Sequence, residues 1–221
     1  GNSELSVPVC ALGRQDMEIY VTFRPFSTLP YQSNTFVTQQ FVTASIIIEY
    51  AYLSDGEADW LNKHRLDYLI TQMYYDSFRL AQGTVFDLDI SGPCREIFFV
   101  VQDDAAKPYV YVLDQGLGAL LTLNGEDYLD PSTSDFQFMH LMAPLERHTR
   151  QPDRNVYMIS FARRPQDPRP SGSVNMSRIK QKKFQIFLPN TTNLDTKELR
   201  VVATSYNILR IENGLAGLLY Q

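Results

Sequence analysis

Glu198-Leu199-Arg200-Val201-Val202-Ala203-Thr204-Ser205-Tyr206-Asn207-Ile208-Leu209-Arg210-Ile211, then Asn213-Gly214, then Leu215-Ala216-Gly217-Leu218-Leu219-Tyr220, is the stretch on which the fold turns. It reads as a strand, a two-residue turn and a second strand. Asn and Gly both accept positive φ, which a tight hairpin turn asks of its two central residues. Working outward, Lys183–Leu188, Val156–Ala162, Glu96–Gln102, Val85–Ile90 and Tyr68–Phe78 are further strand-like runs. Ala44–Leu53, with Ile46-Ile47-Ile48-Glu49-Tyr50-Ala51-Tyr52 inside it, predicts a strand buried on most of both faces. In Met17–Phe23 the period is two: Met17, Ile19, Val21 and Phe23 are expected to point inward, Glu18, Tyr20 and Thr22 outward.

Asn124-Gly125 is a second hairpin-type pair, and Pro165, Pro168 and Pro170 make Arg163–Gly172 a loop. Helix is scarce. Ser54-Asp55-Gly56-Glu57 reads as a capping box opening a short helix to about Arg65, and a second is expected over Phe136–Leu145, stopped near Pro144. At least eight strands, two short helical insertions and no βαβ alternation predict an all-β fold. Its expected form is an antiparallel two-sheet β-sandwich of jelly-roll type, residues 1–221 making a single domain.

With 221 residues, of which 44% are hydrophobic and 13 each are Tyr and Phe, the chain has ample material for one continuous core. A net charge of −5 argues against coating nucleic acid, which needs concentrated Lys and Arg. The one short basic run noted, Arg178–Lys183 with Lys180, Lys182 and Lys183, reads as a solvated strand face. Cys10 and Cys94 lie far apart without CxxC spacing and read as two buried free thiols. No apolar run approaches the ~20 residues that span a bilayer, and direct membrane insertion is not expected. The start, Gly1-Asn2-Ser3, lacks a signal-peptide pattern and suggests a processed product or a piece of something longer.

Pattern alone stops at a class shared by lectins, cupins and capsid proteins. Six dispersed segments go further. Pro170-Ser171-Gly172-Ser173-Val174-Asn175-Met176-Ser177-Arg178 resembles the Pro-Ser-Gly-x-x-Asn-x-Ser-Arg signature of major capsid proteins of nucleocytoplasmic large DNA viruses. Tyr157-Met158-Ile159-Ser160-Phe161-Ala162 is similar to the strand preceding that signature, and Cys94–Gln102 to a "Val-Lys-Glu-Leu-x-Trp-Val-x-Gln" strand, with Cys94 and Arg95 replacing Val and Lys. Leu121–Asp127 resembles "Leu-x-Leu-Asn-Gly-x-Asp", and Ser205–Leu218 the terminal hairpin of the family. Near the start, Val21–Phe26 is similar to an early strand and its exit.

The resemblance implies a structural virion protein with two consecutive jelly rolls, of which this chain covers the second. A stand-alone relative with one jelly roll remains an alternative. It also implies homotrimeric, pseudo-hexagonal capsomers that tile an icosahedral shell after assembly in the host cytoplasm. Partners would be neighbouring capsomers and minor capsid proteins. Within the signature, Pro170 presets a turn, Gly172 can supply positive φ, and Ser171, Asn175 and Ser177 can bond local backbone. Arg178 is expected to anchor the loop through a carboxylate or carbonyl. Long connections around Asp103–Asp114 and Asp130–Gln137 are expected to carry tower or intersubunit contacts.

No catalytic, cofactor or metal constellation stands out. His64, His140 and His148 form no metal-ligand pair and read as surface or loop histidines. Asp103, Asp104, Glu126, Asp127 and Asp130 lack the density of a calcium loop, and no Gly-x-Ser-x-Gly elbow or phosphate loop occurs. Of two glycosylation sequons, the one at Asn175 lies in the signature, and Asn190 is the more open attachment point. Tyr74-Tyr75 and Tyr109-Val110-Tyr111 could stack sugars, which keeps a carbohydrate-binding jelly roll for host attachment as the alternative function.

Overall fold

The computed structural model describes residues 6–23, 43–103, 117–129, 135, 137–152, 155–188 and 193–220. Among them are ten strands: β1 Leu66–Arg79, β2 Val85–Asp87, β3 Pro93–Asp103, β4 Gly118–Leu123, β5 Glu126–Leu129, β6 Tyr157–Ser160, β7 Val174–Asn175, β8 Lys182–Phe187, β9 Lys197–Glu212 and β10 Leu215–Leu218. They form two sheets. One runs β1-β9-β3-β6, with β10 on β9 and β7 on β3; the other runs β2-β8-β4-β5. Every recorded pairing is antiparallel. By its internal contacts the chain divides into two compact units, Thr71–Asn207 and Gly1–Ile70 with Ile208–Tyr220.

The larger unit holds the core. Ile97, Phe99 and Val101 of β3, Tyr157 and Ile159 of β6, and Leu199, Val201 and Ala203 of β9 come from one sheet. Phe86 of β2, Ala119 and Leu121 of β4, and Phe184 and Ile186 of β8 come from the other. All are buried, so the sheets face each other across these side chains, as a sandwich requires. Phe99 sits at the junction, stacked on Tyr157 at 5.1 Å and edge-on to Phe184 at 5.0 Å between ring centroids. Offset and edge-on aromatic pairs add to what area burial alone supplies.

In the smaller unit β10 returns along β9 with Leu215 opposite Glu212. Asn213 at φ 54° and Gly214 at φ 81° make the turn, as the Asn-Gly pair predicts. Asn124 at φ 53° and Gly125 at φ 87° turn β4 into β5 in the same way. Arg210 of β9 grips Asp67 of β1 with two bonds of 2.8 and 3.0 Å. Helix α1, Asp55–Lys63, opens with the expected reciprocal Ser54–Glu57 box.

The two N-terminal strands expected from the sequence do not form. Residues 17–23 and 43–53 join no ladder, and Met17, Ile19, Val21 and Phe23 are all more than half exposed. Ile47 and Tyr52 are almost fully exposed, at 96% and 98%. Alternation makes a segment able to be a strand, but a strand needs an edge to pair with, and no described edge takes these two. The second helix also differs. A π-helical turn, Phe138–Met142, runs directly into α2, Ala143–His148, which ends at Thr149 with φ 58°. Pro144 therefore starts a helix where the sequence reading ended one. It stands second in α2, where a proline lacks no bond within α2 itself, and the α pattern gives way to the wider π turn on the side of the chain before it. Residues 104–114 and 24–26, most of 130–137, Tyr109, Tyr111 and Asn190 lie outside the described residues.

Candidate functional site

The residues of the signature assemble around the start of β3. Opposite β9, Cys94 faces Ser205 but Glu96 faces Thr204, so Arg95 is an extra residue, a β-bulge. A bulge frees the local backbone from the ladder and re-aims the side chains beside it. Both effects are visible. The freed Arg95 carbonyl accepts two amides from the end of β6, Phe161 N at 2.8 Å and Ala162 N at 3.1 Å. Glu96 and Ile97, consecutive in sequence, are both buried, which strict alternation forbids.

Glu96 is a charged side chain with 2% exposure, and its two oxygens are fully engaged. Oε2 accepts from His148 Nε2 at 2.7 Å; Oε1 accepts from Thr204 Oγ1 at 3.1 Å and Arg95 Nε at 3.2 Å. Arg95 Nε also donates to Thr204 Oγ1 at 3.1 Å, and the guanidinium lies 5.7 Å from the Tyr206 ring centroid. The cluster ties the end of α2 to β3 and β9. Buried charge is tolerated only when paired and hydrogen-bonded in this way. Three donors from β3, β9 and α2 on one carboxylate fasten those elements together, which is a structural task.

The signature closes on the same bulge from the other side. Ser171 receives Arg164 N on its Oγ at 2.8 Å and Arg163 N on its carbonyl at 3.4 Å. Gly172 has φ 147°, and a Cβ there would stand 2.7 Å from the Phe161 carbonyl oxygen, so only glycine fits. Val174 and Asn175 pair with Cys94 and Pro93. Asn175 Oδ1 caps the following 3-10 turn, accepting Ser177 N at 3.1 Å. Ser177 Oγ accepts Gly92 N, and Met176 N donates to the Gly92 carbonyl, each at 2.8 Å. Met176 itself is a buried core residue. Pro170 sits exposed at the rim of the loop. The structure thus forms one clamp in two parts: Ser171 and Gly172 close on residues 161–164, whose amides bond the Arg95 carbonyl, and Asn175 and Ser177 close on residues 92 and 93.

Arg178 is not part of it. Its side chain is exposed and makes no hydrogen bond or ion pair with described residues; the anchoring expected of it falls to Asn175 and Ser177, whose short side chains reach the backbone directly. Lys182, expected on a solvated face, instead bends inward and donates to the Ile90 carbonyl at 2.9 Å. Two of the three histidines also depart from the surface reading. His140 is buried with Nδ1 donating to the Val156 carbonyl at 2.9 Å, and His148 holds Glu96. Nothing in the spacing of His148 and Glu96, 52 residues apart, announces the pair. The thiols split as well: Cys10 is exposed, while Cys94 is fully buried and burial pushes its pKa up to about 12. Among the described residues no group of three His, Cys, Asp or Glu side chains is placed to hold a metal, and no helix is long and apolar enough to cross a membrane.

Comparison with known proteins bears on the clamp and the sandwich together. The sequence profile described as "large eukaryotic DNA virus major capsid protein" matches residues 57–217. The major capsid protein of Chrysochromulina ericina virus is 37% identical over 124 residues, covering 55% of this chain and 21% of the relative. That of Pyramimonas orientalis virus is 26% identical over 244 aligned residues, covering 99% of this chain and 58% of the relative. Among solved structures, a quasi-atomic model of the PBCV-1 virus capsid aligns with TM-score 0.62 at 20% identity, over 77% of this chain and 55% of that one. The Faustovirus major capsid protein aligns with TM-score 0.54 at 13% identity, over 73% and 36%. Identities this low carry the fold, and the fold is the jelly-roll sandwich. The chain spans only part of these relatives, from about a fifth to somewhat over half of their length.

Proposed function

Since the chain belongs to the family of large eukaryotic DNA virus major capsid proteins, we propose that it is a rigid structural brick of a virus shell. The observation that carries the reading is the match of the profile across residues 57–217, the stretch that contains both sheets, the bulge and the clamp. In this reading the chain is the second of two jelly rolls. Three copies of the double unit make a pseudo-hexagonal capsomer, and capsomers tile an icosahedral shell assembled in the host cytoplasm, with neighbouring capsomers and minor capsid proteins as partners.

Physical features support a mechanical role. An antiparallel sandwich with an aromatic centre resists shear because each strand is fixed by ladder bonds on its edges and by packing on its inner face. The clamp adds a second fastening where β3 enters the sheet. Pro170, Ser171, Gly172, Asn175 and Ser177 serve this stiffness in our reading, and Arg178 faces outward from it. Loops near 103–114 and 130–137 remain proposed contact elements, and Asn190 the proposed attachment point should the protein meet a glycosylation system.

The test is light scattering on the full-length protein that contains this chain, followed by electron microscopy of its assemblies. A mass three times that of the protomer, with hexagonal outlines, is expected. A strictly monomeric full-length protein would refute the reading.

A further inference from the structure

Seven of the chain's 20 Lys and Arg fall within residues 163–183, against one of its 25 Asp and Glu. A segment of +6 is thus set in a chain of −5, and the remainder carries −11. The clamp explains why the segment has its shape but not why it is cationic. Lys182 is used internally. Arg163, Arg164, Arg169, Arg178 and Lys180 are all exposed, and their side chains make no ion pair or hydrogen bond with described residues. Ser171 holds the backbone of Arg163 and Arg164, Asp167 Oδ1 accepts Arg169 N at 2.9 Å, and Asn124 Oδ1 accepts Lys180 N at 3.0 Å. Among the described residues these side chains have no partner, while the backbone at Arg163, Arg164, Arg169 and Lys180 is held.

We propose that this loop is an electrostatic docking element that binds the acidic surface of a neighbouring copy of the chain; the proposal rests on the shell reading above. Charge complementarity selects the partner. Four of the five groups are guanidiniums, whose planar fork suits carboxylates in bidentate pairs. The rest of each copy supplies the carboxylates, with Asp87, Asp89 and Glu126 among those exposed. A polyanion such as nucleic acid meets the same loop but also a chain that carries −11 outside residues 163–183, which repels it beyond the reach of a single loop. Rim charges of this type set encounter rate and register, and salt screens them.

Sedimentation velocity of the chain over a concentration series, at low salt and at about 0.5 M NaCl, tests this. Self-association that weakens at least about tenfold in high salt is expected, because exposed pairs are screened. The variant R163E/R164E/R169E should lose association at low salt, whereas R163K/R164K/R169K, which keeps the charge without the fork, should retain part of it. Circular dichroism confirms that both variants stay folded. Association that is absent, or equal in wild type and charge-reversed variant, overturns the proposal, as does wild-type binding to phosphatidylserine vesicles or duplex DNA in place of self-association. The shell reading fails separately: full-length protein that stays monomeric sinks it, whereas full-length trimers and particles unaffected by the charge reversal sink only the loop.

Discussion

Two glycines offer a matched pair for testing the clamp. Gly83 has φ 143° and Gly172 has φ 147°, so an alanine at either meets nearly the same backbone penalty. Their surroundings differ. A Cβ on Gly83 meets nothing within 4 Å, while one on Gly172 stands 2.7 Å from Phe161 O and 3.3 Å from Ala162 Cα. The backbone penalty for a non-glycine residue in this region is about 1–3 kcal/mol. At Gly172 the obstacle is main chain, and moving it pulls Phe161 N and Ala162 N away from the Arg95 carbonyl that both now bond. Two weakened hydrogen bonds at about 1 kcal/mol each put Gly172→Ala roughly 2 kcal/mol below Gly83→Ala. Urea unfolding reads the difference directly. With m on the order of 1–3 kcal/mol per molar, the midpoint of Gly172→Ala should fall about 1 M below that of Gly83→Ala, at unchanged m. Midpoints that coincide would show that the loop yields freely and that residues 170–178 do not clamp the bulge.

Glu96→Gln leaves Arg95 and His148 facing a neutral group inside the fold, and breaking a buried pair in this way costs about 3–5 kcal/mol; a thermal melt unchanged from wild type would remove the cluster from any stabilising role. With a maleimide reagent under native conditions, Cys10 should react and Cys94 should not, both reacting after denaturation; peptide mass spectrometry showing native labelling at Cys94 would contradict its burial. The same thiol makes stability depend on alkaline pH. Its folded value of about 12 exceeds the ordinary 9.0, so the unfolded chain loses the proton first, and stability that is complete below pH 9 declines between 9 and 12. The full effect is about 4 kcal/mol, and Cys94→Ala should flatten that part of the pH profile relative to wild type; identical profiles would refute it. Asp67, held below the usual carboxylate range by its bonds to Arg210, contributes in the opposite direction. Its contribution is complete above about pH 3.8 and is lost as pH falls through the lower folded value, so Asp67→Asn should lessen the acid sensitivity of amide exchange in residues 208–212, and an unchanged profile would count against the pair.

What the sequence disclosed, it disclosed through local rules. Asn124-Gly125 and Asn213-Gly214 make their turns because positive φ is a property of two residues and needs no context. The Ser54–Glu57 box forms for the same reason, its donors and acceptors lying within one turn. The run Tyr68–Phe78 predicts a strand, and Leu66–Arg79 is one, with faultless alternation of exposure. The strands β4 and β5 flanking Asn124-Gly125 are not legible as runs, because GALLTL is apolar at nearly every position and EDYL is only four residues long, so neither alternates clearly. Non-local requirements stayed hidden. Residues 17–23 and 44–53 have the composition of strands and still lack a ladder, since pairing depends on where another edge lies. The clamp was half legible: the signature marked Gly172, Asn175 and Ser177, but their partners Gly92, Arg95 and Phe161 are set by the fold.

The polar cluster also answers a question of register. β3 carries apolar residues at Ile97, Phe98, Phe99, Val100 and Val101, a run in which both faces are hydrophobic, so hydrophobicity alone would permit β3 to slide by one residue against β9. Glu96 makes that slide costly. Shifted by one position it would leave Thr204 and His148, burying a carboxylate with only Arg95, which travels on the same strand, still beside it. The clamp acts in the same sense, because Asn175 and Val174 accept only Pro93 and Cys94 as neighbours once Ser177 holds Gly92. A fold with one native state needs each strand in one fixed place. Placing a buried charge beside a bulge at the entry of the central strand secures that uniqueness where a wholly apolar strand could not.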